Sequence, residues 1–303
     1  MSFSVTILGS GSAVPTSRRN PSGQLIECSN RYFLIDCGEG TQMQLRKFGV
    51  KFQKIDQIFI SHLHGDHFYG LPGLISTFRL LGREAPLHIY GPKGIKEAIT
   101  ILLKLSDSWT NYPLHFHELS SKVPTLLFSD EKIQIHTIPL KHRVYTNGFL
   151  FTELSKDRKI NFDTVQKHGI DVSQINNLKK GKDATDSVGR VIPNKTLTLD
   201  PDRAKKYAFC SDTAYFPEII KVIQGADLLY HESTFLDDNE ELAIRTKHST
   251  AKQAARIAKS AHVKQLLLGH FSSRYKNLEL FGSEAAEVFP NVAIAHDGMS
   301  IDF

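Results

Sequence analysis

The residues best suited to chemistry stand in one short run, Ser61-His62-Leu63-His64-Gly65-Asp66-His67. Neutral imidazole and carboxylate groups are the ligands that zinc and similar divalent metals prefer. His62 and His64, two apart, can close on one ion, whereas Asp66 and His67 turn toward a second. Incidental histidines on a polar surface loop are the alternative, but four potential ligands in six residues after a buried strand are costly without a metal.

Apolar segments with strand character precede this run and several other polar residues. They are predicted strands at residues 55–60, 133–140, 207–210, 227–230 and 265–268. His142, Asp212, His231 and His270 follow the last four of these strands. Groups beyond strand ends in open α/β sheets converge on one crevice, so we expect these residues to meet the histidine run there.

Seven residues then qualify as metal ligands: His62, His64, Asp66, His67, His142, Asp212 and His270. This number suits two zinc ions with a water between them. Asp212 is the natural bridge, because a carboxylate offers two oxygens.

Strands and helices alternate along the rest of the chain, which predicts an α/β protein. A first strand spans residues 3–8, a hairpin joins 24–28 to 31–35, and helices are expected at 41–48, 71–81, 95–105 and 251–261. The glycines of residues 9–12 do not form GxGxxG and no P-loop lysine follows, so we expect no nucleotide cofactor.

Composition places the chain among ordinary globular proteins, with 303 residues, 41% hydrophobic and 23% charged. The three cysteines have no CxxC spacing, which favours a reducing compartment and a cytoplasmic location. Neither a signal peptide nor a run of about 18 apolar residues is present, so no membrane association is expected.

Residues 155–195 are polar and weakly periodic, and they carry nine Lys/Arg against five Asp, a net charge of +4. One interpretation is a solvated or partly disordered surface excursion. The other is a basic arm that contacts nucleic acid phosphates.

The pattern HxHxDH resembles the metallo-β-lactamase superfamily, and His64 resembles its hydrolytic branch, since the di-iron redox branch carries glutamate there. In order, the segments GSGSAVPTSRRN, DCGEGTQ, SHLHGDH, PLKH, SDT, HESTF, HST and LGHFSSRY resemble those of the ribonuclease Z family over residues 3–303. HESTF and HST, with a basic insertion between His142 and Asp212, are more specific to that family than HxHxDH.

The resemblance implies a metallo-β-lactamase αβ/βα four-layer sandwich in a single domain, 1–303, with residues 155–195 inserted as a flexible tRNA-binding arm. It implies a short-form endoribonuclease that removes the 3′ trailer of precursor tRNA, leaving a 3′-hydroxyl on the tRNA and a 5′-phosphate on the trailer. It also implies a homodimer. His62, His64, His142 and Asp212 would hold one zinc ion, and Asp66, His67, Asp212 and His270 the other.

Catalytic roles are also implied by the resemblance. Asp66 would accept a proton from the attacking water, His248 would protonate the leaving 3′-oxygen, and Glu232 would orient His248. The basic side chains expected to bind substrate are Arg18, Arg19, Lys179, Lys180 and Lys182. Two positions depart from the family: Ser17 replaces a common lysine, and residues 169–174 lack a Gly-Pro-rich tip.

Two other hypotheses remain. A small-molecule hydrolase of the same fold, such as a lactonase, thioesterase or phosphodiesterase, would need neither the basic arm nor the HESTF and HST pair. An RNA-binding protein with an idle site would carry no stoichiometric zinc, so metal analysis separates it from an enzyme.

Overall fold

The computed structural model describes residues 3–303, and its regular structure begins with the strands. In chain order they are β1 (Phe3–Gly9), β2 (Gly23–Cys28), β3 (Arg31–Ile35), β4 (Ile55–Phe59), β5 (Leu87–Pro92), β6 (Leu114–Leu119), β7 (Leu126–Ser129), β8 (Ile133–Pro139), β9 (Asn147–Glu153), β10 (Lys159–Ile160), β11 (Ala184–Thr185), β12 (Val191–Ile192), β13 (Thr198–Leu199), β14 (Lys206–Cys210), β15 (Leu228–Glu232), β16 (Gln265–Gly269), β17 (Val292–Ile294) and β18 (Ser300–Asp302).

Helices connect most of these strands. They are α1 (Thr41–Lys47), α2 (Gly65–Phe68), α3 (Leu71–Leu80), α4 (Ile95–Leu105), α5 (Phe162–Lys167), α6 (Ile175–Lys179), α7 (Asn194–Leu197), α8 (Ile220–Ile223), α9 (Glu240–Thr246), α10 (Ala251–Ser260) and α11 (Glu279–Ala286). Short 3₁₀ turns occupy Phe52–Lys54, Val172–Gln174, Pro217–Ile219 and Asp237–Asn239. Within residues 3–303 no helix is both long and apolar enough to cross a membrane.

The chain divides into two compact units. The first comprises the residues up to Ser129 together with Ile133–Thr152 and Lys205–Phe303, and the second comprises Asp130–Lys132 and Glu153–Ala204.

Two large sheets, each of seven strands among the described residues, build the first unit. Their orders are β18-β1-β2-β3-β4-β5-β6 and β17-β16-β15-β14-β9-β8-β7. Strands β3 to β6 run parallel in one sheet, and β14 to β17 run parallel in the other. Both sheets therefore present the carboxyl ends of several neighbouring strands, which is where ligand sites form.

The strands bury apolar side chains on both faces. Phe59 packs between the sheets, 5.3 Å from Phe149 by ring centroids, whereas the preceding residue Ile58 joins the core under α3 and α4. On the other side, the alanine-rich face of α10 and Phe281 of α11 join the core that contains β14 to β16. The layers are thus helix, sheet, sheet and helix, which confirms the predicted four-layer α/β fold.

Local signals placed most elements correctly. The predicted hairpin forms with Ser29 and Asn30 at φ 51° and 65°, the left-handed turn that a two-residue connection needs. Thr250 caps α10 through a capping box with Gln253. One boundary was wrong: β15 continues through His231 and Glu232, so His231 lies within a strand instead of beyond it.

The second unit holds short elements around a small apolar core. Its buried members are Val165, Ile170, Leu178, Ala184 and Leu197. This unit extends beyond residues 155–195 at both ends, and over its full extent it carries eleven Lys/Arg and ten Asp/Glu, a net charge of +1. The polar composition of the segment concealed this core because its apolar residues are few and irregularly spaced.

Candidate metal centre and neighbouring residues

Strand ends bring all seven predicted ligands into one cluster. His62 and His64 follow β4, and the short helix α2 carries Asp66 and His67. Three strands of the second sheet supply the remaining three predicted ligands: His142 after β8, Asp212 after β14 and His270 after β16.

Asp212 lies at the middle of the cluster, and each of its oxygens faces a different pair of imidazoles. Its Oδ2 is 3.6 Å from His62 Nε2 and 3.8 Å from His142 Nε2. Its Oδ1 is 3.4 Å from His67 Nε2 and 3.1 Å from His270 Nε2. One carboxylate oxygen therefore points to each of two adjoining ligand groups.

The two groups are completed by residues of the loop after β4. His64 Nδ1 lies 2.9 Å from His62 Nε2. Asp66 Oδ2 lies 3.4 Å from His67 Nε2 and 3.5 Å from His270 Nε2. The ligand atoms of His62, His64, His142 and Asp212 fall within 4.8 Å of one another, as do those of Asp66, His67 and His270.

The inward-facing atoms suit a metal ion. His67 Nε2, His142 Nε2, His270 Nε2 and Asp212 Oδ1 are buried and have no hydrogen-bond partner among residues 3–303. Leaving a buried polar atom unsatisfied costs about 1–3 kcal/mol. Cations at the two groups would satisfy these atoms with imidazole and carboxylate ligands, the set that zinc accepts.

The opposite nitrogens of these imidazoles are engaged elsewhere. His67 Nδ1 lies 2.7 Å from Asp36 Oδ2, and His142 Nδ1 lies 2.8 Å from the Lys247 carbonyl oxygen. A carboxylate and a carbonyl only accept hydrogen bonds, so Nδ1 is the donor in each contact and Nε2 is the nitrogen that faces inward. Partners of this kind orient metal-binding histidines and raise their basicity.

Asp36 is a functional residue that sequence reasoning missed. It is fully buried and accepts from Ser61 N–H at 2.8 Å and Ser22 Oγ at 2.9 Å as well as from His67. The sequence signal that could have identified Asp36 is its position in Asp36-Cys37-Gly38, directly after β3. The structure shows how close this loop comes to the ligand loop: a Cβ at Gly38 would stand 2.4 Å from the Asp66 carbonyl oxygen. Only glycine lets this loop pack against the ligand loop.

Hydroxyl groups complete the surroundings of the histidines. Ser61 Oγ lies 3.0 Å from His62 Nδ1, and Thr234 Oγ1 lies 3.0 Å from His270 Nδ1. Thr234 also donates to Glu232 Oε2 at 2.9 Å, so the segment 231–235 contacts His270 through Thr234 and His248 through Glu232. His270 itself has φ 59°, a backbone conformation that costs free energy outside glycine and recurs at functional sites.

His248 stands at the edge of the centre, with Nε2 4.0 Å from Asp212 Oδ2 and Nδ1 2.9 Å from Glu232 Oε1. Burial lowers the pKa of His248, but attraction to the buried Glu232 carboxylate outweighs it and raises the pKa to about 9. The imidazole can therefore hold a proton beside the centre.

Burial and mutual charge set the protonation of the cluster. Burial lowers the pKa of His62 well below its usual range, and burial likewise lowers the pKa of His142, which favours the neutral form that binds metals. Burial opposes ionisation of Asp66 and Asp212, yet the neighbouring imidazoles hold both carboxyl pKa values below the ordinary range.

The predicted substrate-binding residues differ in their exposure and contacts. Arg18 is exposed, but the Arg19 guanidinium donates to the carbonyl oxygens of Ser272 and Tyr275 at 3.1–3.3 Å and so holds two loops together. Lys179, Lys180 and Lys182 are exposed at the end of α6 in the second unit. His231 is not part of the cluster, since it is buried and its Nδ1 donates to the Glu232 carbonyl oxygen at 2.7 Å.

Two face-to-face sheets flanked by helices, with a histidine and aspartate centre at the strand ends, define a protein of the metallo-β-lactamase fold. The metallo-β-lactamase fold protein YhfI from Bacillus subtilis is similar over 100% of both chains, with 21% identity and a TM-score of 0.72. The short form of human tRNase Z (ELAC1) is similar over 98% of both chains, with 30% identity and a TM-score of 0.71.

Sequence relatives narrow the assignment. Ribonuclease Z of Bacteroides thetaiotaomicron is 48% identical over 299 residues, 99% of this chain and 95% of the relative. Ribonuclease Z of Porphyromonas gingivalis is 42% identical over 300 residues, 99% of both chains. The chain belongs to the ribonuclease Z family. It also matches, over residues 3–287, the profile of the family described as anti-Pycsar protein Apyc1.

Proposed function

We propose that this protein is a metal-dependent endoribonuclease that removes the 3′ trailer from precursor tRNA. Hydrolysis would leave a 3′-hydroxyl on the tRNA and a 5′-phosphate on the trailer. The observation that carries the proposal is the Asp212-centred cluster, in which each oxygen of one carboxylate faces two imidazoles. Full-length relatives named ribonuclease Z support the substrate class.

We propose two zinc ions per chain. His62, His64, His142 and Asp212 would hold one ion, and Asp66, His67, Asp212 and His270 the other, in agreement with the unpartnered inner atoms. Such ions would lower the pKa of a bound water and neutralise charge on phosphodiester oxygens.

The chain's own groups would position and move the protons. Asp66 accepts a hydrogen bond from Ala13 N–H at 2.8 Å, which orients its carboxylate. In this proposal Asp66 would accept a proton from the attacking water. His248 Nε2 would donate a proton to the leaving 3′-oxygen. Glu232 would keep His248 protonated and oriented through Nδ1.

We propose that the second unit is a tRNA-binding arm inserted in a single domain, 1–303. Several of its cations already pair with carboxylates: Lys156 with Glu153, Arg158 with Asp200, Lys159 with Asp202, Lys180 with Asp157 and Arg190 with Asp186. Lys179 and Lys182 have no ion pair among the described residues, and with Lys180 they form an exposed cationic group. Contacts from such lysines to phosphates add affinity without sequence specificity and weaken with salt.

A homodimer and a cytoplasmic location complete the proposal. Leu80 and Leu105 are 84% and 80% exposed at the ends of the neighbouring helices α3 and α4, and Trp109 is half exposed after α4. We infer that these exposed apolar side chains belong to the interface between two copies of the chain. The cysteines Cys28, Cys37 and Cys210 are all free, as expected in a reducing compartment.

Cleavage of a 3′-extended tRNA transcript tests the proposal. Zinc-loaded protein should release the trailer by one cut after the acceptor stem, and end analysis should find the stated termini. A small-molecule hydrolase of this fold, the alternative, would hydrolyse simple esters or diesters and leave the transcript intact. Sedimentation of the same preparation tests the dimer, which a monomer at micromolar concentration would exclude.

A further inference from the structure

We propose that a groove beside His142 binds one unpaired nucleotide that flanks the scissile phosphate. The groove has a volume of about 480 Å³, and residues 139–147 form much of its wall together with Ser121, Lys122 and Phe216. Ligand pockets in proteins span about 300–1,000 Å³, so one nucleotide fits. The inference rests on the proposed function and names the part of the RNA that this region takes.

Charge is the first support. The groove is lined by Lys122, Lys141 and Arg143, and no Asp or Glu lines it. All three cations are exposed, and none forms an ion pair among residues 3–303. Arg143 directly follows His142, whose Nε2 lies 3.8 Å from Asp212 Oδ2, and both residues line the groove. Cations that form no ion pair are suited to contact the phosphate next to the one that is cleaved in an RNA strand.

Aromatic side chains are the second support. Phe216 and Tyr145 are partly exposed in the groove, and Lys141 Nζ lies 6.0 Å from the Phe216 ring centroid. The Tyr145 hydroxyl donates to the Ser121 carbonyl oxygen at 2.9 Å, which fixes the ring without using its face. A basic groove with aromatic faces binds single-stranded nucleic acid by stacking, and such binding tolerates different bases.

The groove is also held in shape. Leu140 N–H donates to the Thr146 carbonyl oxygen at 3.2 Å, which closes the loop that follows β8. Lys141 accepts from Ala214 N–H at 2.8 Å, and its own N–H donates to Thr213 Oγ1 at 3.1 Å. These bonds tie the loop to the segment that carries Phe216, so little ordering remains to oppose binding.

A base must be unpaired to stack on Phe216 or Tyr145, which excludes the duplex of an acceptor stem as the occupant. When the cut lies one nucleotide beyond the stem, the nucleotides on both sides of it are unpaired. The shared chemistry is one unpaired nucleotide, and the experiment decides on which side of the cut it lies.

Phe216→Leu tests the groove, because leucine keeps apolar packing and removes the ring. We expect KM for precursor tRNA to rise about 5- to 160-fold, the range for loss of one stacked base. Metal content should not change. Phe289→Leu is the matched control, since Phe289 is also a partly buried ring packed on the same core but does not line the groove.

Abasic substrates locate the nucleotide. Removing the base on one side of the cut should raise KM for the parent enzyme, and Phe216→Leu should add nothing further on that side. Effects that add on both sides, or an unchanged KM for Phe216→Leu, would overturn the inference while leaving the proposed function intact. If the parent does not cut precursor tRNA, the proposed function fails. Binding of a short labelled oligoribonucleotide then tests the groove separately. Weaker binding by Phe216→Leu would support the groove, and unchanged binding would overturn it.

Discussion

Asp36→Asn tests whether the buried carboxylate behind His67 supports the metal centre. Asparagine keeps the size of the side chain and tolerates φ 55°, so the backbone should not change. The substitution removes the negative charge 2.7 Å from His67 Nδ1 and leaves one acceptor fewer for the buried donors Ser22, Ser61 and His67. Loss of such a partner weakens metal binding about 10- to 100-fold.

That factor corresponds to about 1.4–2.7 kcal/mol of metal-binding free energy. Asp36→Ala should be worse, because His67 Nδ1–H and Ser61 N–H would both lose a buried acceptor. At about 1–3 kcal/mol for each unsatisfied donor, this variant should lose about 2–6 kcal/mol of folding stability as well. Asp36→Asn is therefore the variant that isolates metal affinity.

Chelator competition measures zinc affinity, and activity against free zinc concentration gives a second readout. Asp36→Asn should need more free zinc and then recover most of its activity. Asp186→Asn is the control, since Asp186 is also a buried carboxylate that accepts from backbone N–H groups, at Val188 and Arg190, with no imidazole partner. Parent-like zinc affinity in Asp36→Asn, or an equal loss in Asp186→Asn, would refute the reasoning.

Three further outcomes follow from the site. His64→Ala should lose at least one metal ion and nearly all activity, as metal analysis and assay would show; full metal content would remove His64 from the ligand set. His248→Ala should keep both ions and lose about 10²–10⁴-fold in rate on precursor tRNA, with a smaller loss on a nitrophenyl diester whose leaving group needs no acid. Equal losses on both substrates would exclude the acid role. Replacing Lys179, Lys180 and Lys182 with glutamate should raise KM for precursor tRNA and flatten its salt dependence without affecting the small diester. An unchanged salt slope would exclude the phosphate contact.

The convergence of the seven predicted ligands could be expected because the loop that carries four of them, and each of the other three, follows an apolar segment with strand character. A buried strand has few ways to end, and His142, Asp212 and His270 follow ends that face one crevice. The pattern could not tell where a strand stops within a polar motif, so His231 was placed beyond β15 although the strand includes it.

Residues that support the ligands were harder to predict. Asp36 and His67 are far apart in sequence, and their 2.7 Å contact exists only because β3 and β4 are parallel neighbours. Arg19 shows the opposite case: it was expected to bind substrate, but its guanidinium donates to the carbonyl oxygens of Ser272 and Tyr275. Charge alone does not show which cations are already engaged.

The second unit shows how charge depends on boundaries. Counted over residues 155–195 the net charge is +4, but the compact unit includes Asp200 and Asp202, which pair with Arg158 and Lys159. Among the described residues, Lys167, Lys179, Lys182 and Lys195 are exposed cations of this unit without an ion pair, so the unit is not a uniformly basic arm. This difference could not be inferred from composition, because the partners lie beyond the polar segment.

Cleavage in H₂¹⁸O tests the central claim, that water activated at the Asp212 centre attacks the phosphodiester and expels the 3′-oxygen of the tRNA. A single turnover on precursor tRNA, followed by mass spectrometry of both products, should place one ¹⁸O in the 5′-phosphate of the trailer and none in the tRNA 3′-hydroxyl. A phosphate retained on the tRNA, or a 5′-phosphate without ¹⁸O, would contradict it.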